Sequence, residues 1–203
     1  IRMHKGVMME SIVVTGHAGH SSNPTLGASA TEGMLKVMDE LLKWREDLQR
    51  KHQNPAFDIA SPTMNIGSIH GGDNPNRICA HCETQIDIRP LPGMDIDLLR
   101  ADLQKRLVNI LPEDSKLTLI YRPIFCGVPA FETAADAQFT QLTESLSGKK
   151  AQAVAFGTEA PYLNKLGLDT LVIGPGHIDQ AHQANEYIPA NQITPYCNLL
   201  QNL

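Results

Sequence analysis

Between residues 78 and 89 the side chains alternate. Cys82, Thr84, Ile86 and Ile88 share one face of an extended chain, and Glu83, Gln85, Asp87 and Arg89 share the other. A period of two with one apolar face marks a half-buried strand. Pro90-Leu91-Pro92-Gly93 stops it. Residues 10–15, rich in β-branched side chains, predict another strand. After the loop His17 to Pro24, the residues Leu26, Ala30, Met34, Val37, Leu41, Trp44 and Leu48 recur at three- and four-residue steps, the stripe of a long amphipathic helix. A strand follows at about 62–69, and Gly71-Gly72-Asp73-Asn74-Pro75 forms a turn cluster. A second amphipathic helix spans about 95–111, with Ile96, Leu99, Leu103, Leu107 and Ile110 on its stripe. A strand at about 116–122 completes the order β-α-β-β-α-β. That order predicts a ferredoxin-like unit over 10–124, with two helices on one face of an antiparallel sheet and a solvated, charged or paired opposite face.

Residues 125–203 follow a different rhythm. Thr133 is placed to cap a helix to about 147, with Asp136 at the capping-box position and Gly148 as its stop. A short strand at 152–156, a helix at about 159–166 ending at Gly167, and a strand at 169–173 come next. The last helix starts near 191, with Pro195 in its first turn. Two strands cannot form an α/β sheet buried on both faces. The pattern therefore predicts further strands from sequence upstream of Ile1. The opening Ile1-Arg2-Met3-His4-Lys5, unlike a translation start, gives the same expectation of an incomplete α/β portion.

Composition narrows the class. The chain is 42% hydrophobic and 19% charged, with a formal net charge of −5. These values suit a globular fold and argue against a nucleic-acid or anionic-membrane surface. No apolar run approaches the ~20 residues of a membrane-spanning helix. Four cysteines suit a reducing cytosol. Cys79-Ala80-His81-Cys82 has zinc-ribbon spacing but no second pair, and alternation would point its two thiols to opposite faces.

One loop carries the densest chemistry. Gly174-Pro175-Gly176-His177 through His182 to Glu186-Tyr187 holds two histidines and two acids after an apolar strand, where α/β proteins place active sites. On residue type alone, a lone loop histidine is usually polar surface rather than a ligand.

Taken together, several stretches resemble the dizinc aminoacylase and glutamate-carboxypeptidase-like hydrolases. They are Ile1 to Gly6, Gly16 to Ser22, Ile69 to Asp73, Asn76 to Cys79, Asp87 to Met94, Gly157-Thr158-Glu159-Ala160-Pro161, and Gly174 to Tyr187. Ile1 to Gly6, Asp87 to Met94 and Gly157 to Pro161 resemble a deacetylase branch. The resemblance implies an α/β catalytic domain interrupted by a ferredoxin-like lid that dimerises. It aligns 10–124 with the lid and 125–203 with the C-terminal portion of the catalytic domain. The half that supplies the family's His-x-Asp motif, bridging Asp and Glu-Glu pair is not matched; His177-Ile178-Asp179 spells His-x-Asp but lies in the wrong place, after the strand's end.

The resemblance also implies roles, each beside a plainer reading. His182 is implied as a ligand of one of two zinc or cobalt ions, His177 only as support for its loop. His20 is implied to enter the partner's site and stabilise an oxyanion; otherwise it is a turn histidine bonded to Ser21 or Ser22, and His17 has no implied role. Asn76 is implied to bind substrate near the scissile group, or else simply shapes its turn. Arg89 is implied to bind the substrate α-carboxylate, or else pairs with Asp87. Gly157 and Thr158 are implied to face the same carboxylate, while Glu159 departs from an Asp common in other branches. The implied reaction is hydrolysis of an N-acetylated amino acid by a cytoplasmic homodimer, with these 203 residues inactive alone. A related desuccinylase or carboxypeptidase, and a non-catalytic dimerisation module, are the alternatives.

Overall fold

A computed structural model describes residues 1–203. Its larger sheet is antiparallel and combines β2 (Met8–Thr15), β3 (Thr63–Gly71), β4 (His81–Arg89) and β5 (Thr118–Pro123) in the order β3-β4-β2-β5. Helices α1 (Ala30–Lys51) and α2 (Ile96–Leu107) cover one face. This is the ferredoxin-like arrangement the alternation predicts. Register puts Met8 opposite Ile88, Ile12 opposite Thr84, and Val14 opposite Cys82, so the apolar residues of neighbouring strands share the helix side. The opposite face carries Ser11, Glu83, Gln85, Asp87, Arg89 and Arg122, with Met9, Val13 and Ile120 among them, so it is charged but not uniformly polar.

The helix starts differ from the periodicity. Leu26 fits the α1 stripe but lies exposed in the short 3-10 turn Pro24–Leu26. The Asn23 side chain accepts the Thr25 amide there, so the local bond competes with helix. Ser29 is the actual cap, accepting the Glu32 N–H at 3.3 Å. Asp95 caps α2 through the amides of Asp97 and Leu98. Seventeen buried residues form one core under both helices, among them Trp44, Leu41, Ile86 and Leu103. At the helix–helix seam Trp44 Nε1 donates to Asp102 at 2.8 Å, and Arg106 bridges Glu40 and Asp47.

The second sheet is small: β1 (Met3–His4) lies between β6 (Phe131–Glu132), antiparallel, and β7 (Ala153–Val154), parallel. Neither β1 nor β6 shows in the residue pattern. Around the sheet lie α3 (Gln138–Ser147), α4 (Ala160–Asn164) and α5 (Ile193–Gln201). Thr133 does not cap α3. It is buried beside β6, donates its hydroxyl to Thr170 O at 2.6 Å, and α3 starts without a side-chain cap. Gly148 closes α3 in the left-handed region, as expected. Residues 169–173 are not a strand. Their ladder reduces to two bonds, exchanged between Ile1 and Val172. Cys79 precedes β4, so strand alternation does not govern it, and all four cysteines are free.

Burial separates the two parts. α5 buries none of its residues, Leu166 is 76% exposed and Tyr187 58%. No helix is long and apolar enough to cross a membrane. Leu103 is fully buried in the larger core, so Leu103→Ala should cost about 2–5 kcal/mol. A fall in the urea midpoint at unchanged m-value would show it.

Candidate functional site

His20 follows β2 in a tip loop that the chain ties tightly to Asn76. His20 bridges to Arg77, Ser21 N–H donates to Asn76 O at 3.0 Å, and Ile78 N–H donates to Gly19 O at 2.8 Å. The two residues therefore sit together. Ser22 N–H donates to His20 Nδ1 at 3.2 Å, and the Ser22 hydroxyl lies 2.7 Å from the same nitrogen. This is the local turn bond expected of a turn histidine, and it has a chemical consequence. An amide can only donate, so Nδ1 accepts and the neutral ring carries its proton on Nε2. The exposed edge of His20 is thus an N–H donor. Asn76 takes part in the turn through its own amide, which donates to Asn74 Oδ1.

Arg89 lies at the far end of β4. Eight residues separate it from His81 beside the tip, a span of about 27 Å at strand rise. Its Nε donates to Asp87 Oδ2 at 2.9 Å, the surface pair expected of it, and both Nη groups are left unused. Pro90 O then accepts the Gly6 N–H, which brings the Arg89 end to the crossing between the two sheets.

Gly157 and Thr158 also lie at this crossing. A Cβ on Gly157 would come within 2.8 Å of Val7 Cγ2, so any larger residue would have to displace the Val7 side chain on the crossing strand. Thr158 N–H donates to His4 Nε2 at 3.2 Å, and its hydroxyl accepts from Ala160 N–H. The Thr158 amide is therefore committed inside the protein. His4 is a residue the motif reading passed over. It is fully buried, its ring lies 5.2 Å from that of Phe131, and its Nδ1 lies 2.8 Å from Lys5 O. A carbonyl can only accept, so Nδ1 carries the proton and Nε2 is free to hold Thr158. Lys5, buried next to it, donates to Ile59 O and Ser61 O and sits over the Phe57 ring. A single His-Lys pair carries no periodicity, so neither burial nor partners show in the sequence.

His182 stands apart from both groups. It has φ 63°, a left-handed conformation that a non-glycine residue rarely adopts. Its N–H donates to Glu186 Oε2 at 3.2 Å. The loop is pinned by α5, where Gln192 accepts the Gly176 N–H and Tyr196 donates to Ile173 O. Held strain of this kind clusters at functional loops. His177 bonds locally to Asp179. An open cleft of about 580 Å³ between α3, β7 and residues 171–178 is lined by His177 but by none of the six implied site residues. No group of three His, Cys, Asp or Glu residues could hold a metal ion.

A family model for the peptidase dimerisation domain of M20 enzymes matches residues 2–115. The chain belongs to that family. Acetylornithine deacetylase of Edwardsiella ictaluri is 45% identical over 206 residues, covering 100% of this chain and 52% of its own length. The Vibrio cholerae enzyme of the same name is 42% identical, covering 98% and 52%. The chain thus spans about half the length of the curated relatives it matches. Among solved structures, aminopeptidase PepT of Bacillus cereus superposes with a TM-score of 0.71 at 18% identity, over 100% of this chain and 52% of that one. A Staphylococcus aureus tripeptidase gives 0.68 at 16%, with the same coverage. These two share the fold.

Burial pushes the His4 imidazole below its ordinary 6.5. The unfolded chain then takes up a proton that the folded chain refuses, so stability present at neutral pH is lost as pH falls below about 6.5. Glu83 and Glu144, held below 4.5 by hydrogen bonds from Ser11 and Lys150, act only at lower pH. His4→Gln keeps an acceptor for Thr158 but cannot titrate. Melting temperatures between pH 7 and 5 should fall for the wild type and stay flatter for the variant.

Proposed function

We propose that these 203 residues form the lid and C-terminal catalytic portion of a cytoplasmic, metal-dependent homodimeric amidohydrolase. Its reaction converts N-acetyl-L-ornithine to L-ornithine and acetate. The observation that carries this is 41–45% identity, across essentially the whole chain, to enzymes named acetylornithine deacetylase. The domain division at about residues 124–125 belongs to the same proposal. Four free cysteines suit a reducing compartment.

The geometry favours a shared site. His20 and Asn76 lie at the tip, while Arg89, Gly157 and Thr158 lie at the crossing, with β4 between them. One copy cannot bring both groups to a small substrate, since about 27 Å of strand keeps them apart. The tip of one copy would serve the crossing of another. For the copies to meet, α1 offers the partly or fully exposed stripe Leu35, Met38 and Leu42 beside the open edge of β3.

Zinc or cobalt, when bound, would polarise the acetyl carbonyl and lower the pKa of bound water. His182 would supply one ligand, and its fixed backbone suits a set ring position. The remaining donors are not among these residues, so no step is derived through the ions. Arg89 would release Asp87 and present its free Nη pair to the α-carboxylate, where a planar fork binds two oxygens. Gly157 would give the carboxylate side of the substrate close access to backbone. As a water molecule adds to the acetyl carbon and its C=O π bond opens, His20 Nε2–H would donate to the new oxyanion. Collapse would re-form the C=O bond and break the C–N bond while the proton given up by the water passes to the leaving nitrogen, giving acetate and the free amine.

In the intact protein, His20→Ala should lower kcat by about 10²–10³, and His182→Ala should abolish metal-dependent turnover. Mixing the two inactive variants should restore about a quarter of wild-type activity, since half the dimers then own one complete site. No recovery on mixing would place His20 in its own subunit's site. Hydrolysis of N-succinylated but not N-acetylated amino acids would move the substrate to a sister enzyme. The 203-residue chain alone should be inactive.

A further inference from the structure

The two sheets are joined by one continuous antiparallel ribbon. Pro123 faces Glu10 on the lid side, and Ile124 N–H donates to Met9 O. Beyond the crossing, Val7 and Val128 exchange both backbone bonds at 2.8 Å, and Phe131 and Glu132 face His4 and Met3. Between these points the outgoing strand has only Met8, while the return strand has Phe125, Cys126 and Gly127. Two extra residues thus bulge from the ribbon where the lid meets the C-terminal portion. Bulges bend strands and leave ladder groups unpaired.

Arg100, from α2, takes up those groups. Its Nη2 donates to Phe125 O at 2.8 Å and its Nη1 to Cys126 O at 2.9 Å, while Nε donates to Glu10 Oε1 at 2.9 Å. The third bulge residue is held from the other side, where Tyr162, next to the Thr158 turn in α4, donates to Gly127 O at 3.3 Å. Gly127 has φ 89°, and a Cβ there would lie 3.0 Å from Ile96 Cδ1. The bulge is therefore fixed in backbone shape and gripped from both sides.

Stability alone does not account for the node. Glu10 is fully buried, and its Oε2 and the buried Tyr121 hydroxyl near it have only each other, without full hydrogen-bond geometry. Burial, then the nearby Glu10 carboxylate, push the Tyr121 phenol well above its ordinary range. Buried ion pairs often contribute less stability than apolar residues of similar size, whereas they do constrain geometry. The tip that carries His20 is the far end of a lever that starts here. A rotation of about 10° at the bulge would move it by about 3 Å, given the strand rise from Glu10 to Thr15 and the loop beyond.

We propose that Arg100 is a positioning residue for the reaction: by holding the Phe125 and Cys126 carbonyls of the bulge against Glu10, it sets the lid angle that delivers His20 to the neighbouring copy's site. This rests on the shared-site reading above. Arg100 touches no substrate, so its loss should act on kcat through the misplaced tip, with little change in KM.

The test uses the intact protein with three changes: Arg100→Met, the double variant Glu10→Met with Arg100→Met, and Arg100→Lys. Small-angle X-ray scattering, melting temperature, and kcat and KM for N-acetyl-L-ornithine are measured on each. Arg100→Met should melt lower, scatter as a looser particle and lose about 10- to 100-fold in kcat, with KM within about threefold. The double variant removes both buried charges and should regain melting temperature while kcat stays low and scattering stays loose. Arg100→Lys keeps the charge opposite Glu10 without the fork and should fold, with kcat between the two. Recovery of kcat together with stability in the double variant would overturn the proposal, as would wild-type kcat and scattering in Arg100→Lys. If the wild-type protein does not hydrolyse N-acetyl-L-ornithine, the functional reading fails. The scattering comparison then still decides whether Arg100 sets the lid angle.

Discussion

The ribbon that crosses between the two sheets is the constraint on which the rest of the molecule depends. β2 and β5 are neighbours in the lid sheet, and their continuations, β1 and β6, are neighbours in the smaller one. Both connections therefore leave the lid side by side, and every backbone bond in them ties lid to C-terminal portion. Buried cations reinforce the crossing on each strand: Lys5 reaches the 59–61 loop, and Arg100 reaches the 125–127 bulge. Both bind backbone carbonyls and so hold the path of the chain, and Arg100 ties that path to the Glu10 carboxylate as well.

This constraint also sorts the chemistry. Arg89, Gly157 and Thr158 gather where the strands cross because β4 ends there and the Gly157 turn packs on Val7. His20 and Asn76 gather at the opposite end because the β2–α1 and β3–β4 loops meet there. A rigid strand keeps the two sets apart within one copy. The neutral tautomers of His4 and His20, each dictated by a neighbouring backbone group, show how local bonds prepare these side chains. His4 is left able only to accept from Thr158, and His20 only to donate outward.

The two parts differ in how they bury apolar surface. The lid closes its own core with seventeen buried residues. The C-terminal portion has a sheet of two-residue strands and a final helix with no buried residue. Short strands gain few ladder bonds and little burial, so this part leans on single contacts such as Thr133 to Thr170 and Tyr196 to Ile173.

The sequence by itself determined the lid. Alternation in residues 82–89 and the stripe from Ala30 to Leu48 specify which faces are apolar, and only one packing of βαββαβ buries them all. It also determined the helix stop at Gly148, because that conformation suits glycine. The motif stretches pointed to His20, Asn76, Arg89, Gly157, Thr158 and His182, and the structure shows where each lies without testing its role. Only the tertiary structure decided which of these residues meet, that Thr133 bonds inward rather than capping α3, and that residues 169–173 keep only two bonds, to Ile1. It alone revealed β1, β6, His4, Lys5 and the Arg100 node. Their partners are distant in the chain, such as Thr158 for His4 and Cys126 for Arg100, and a residue's neighbours at that separation leave no period to read.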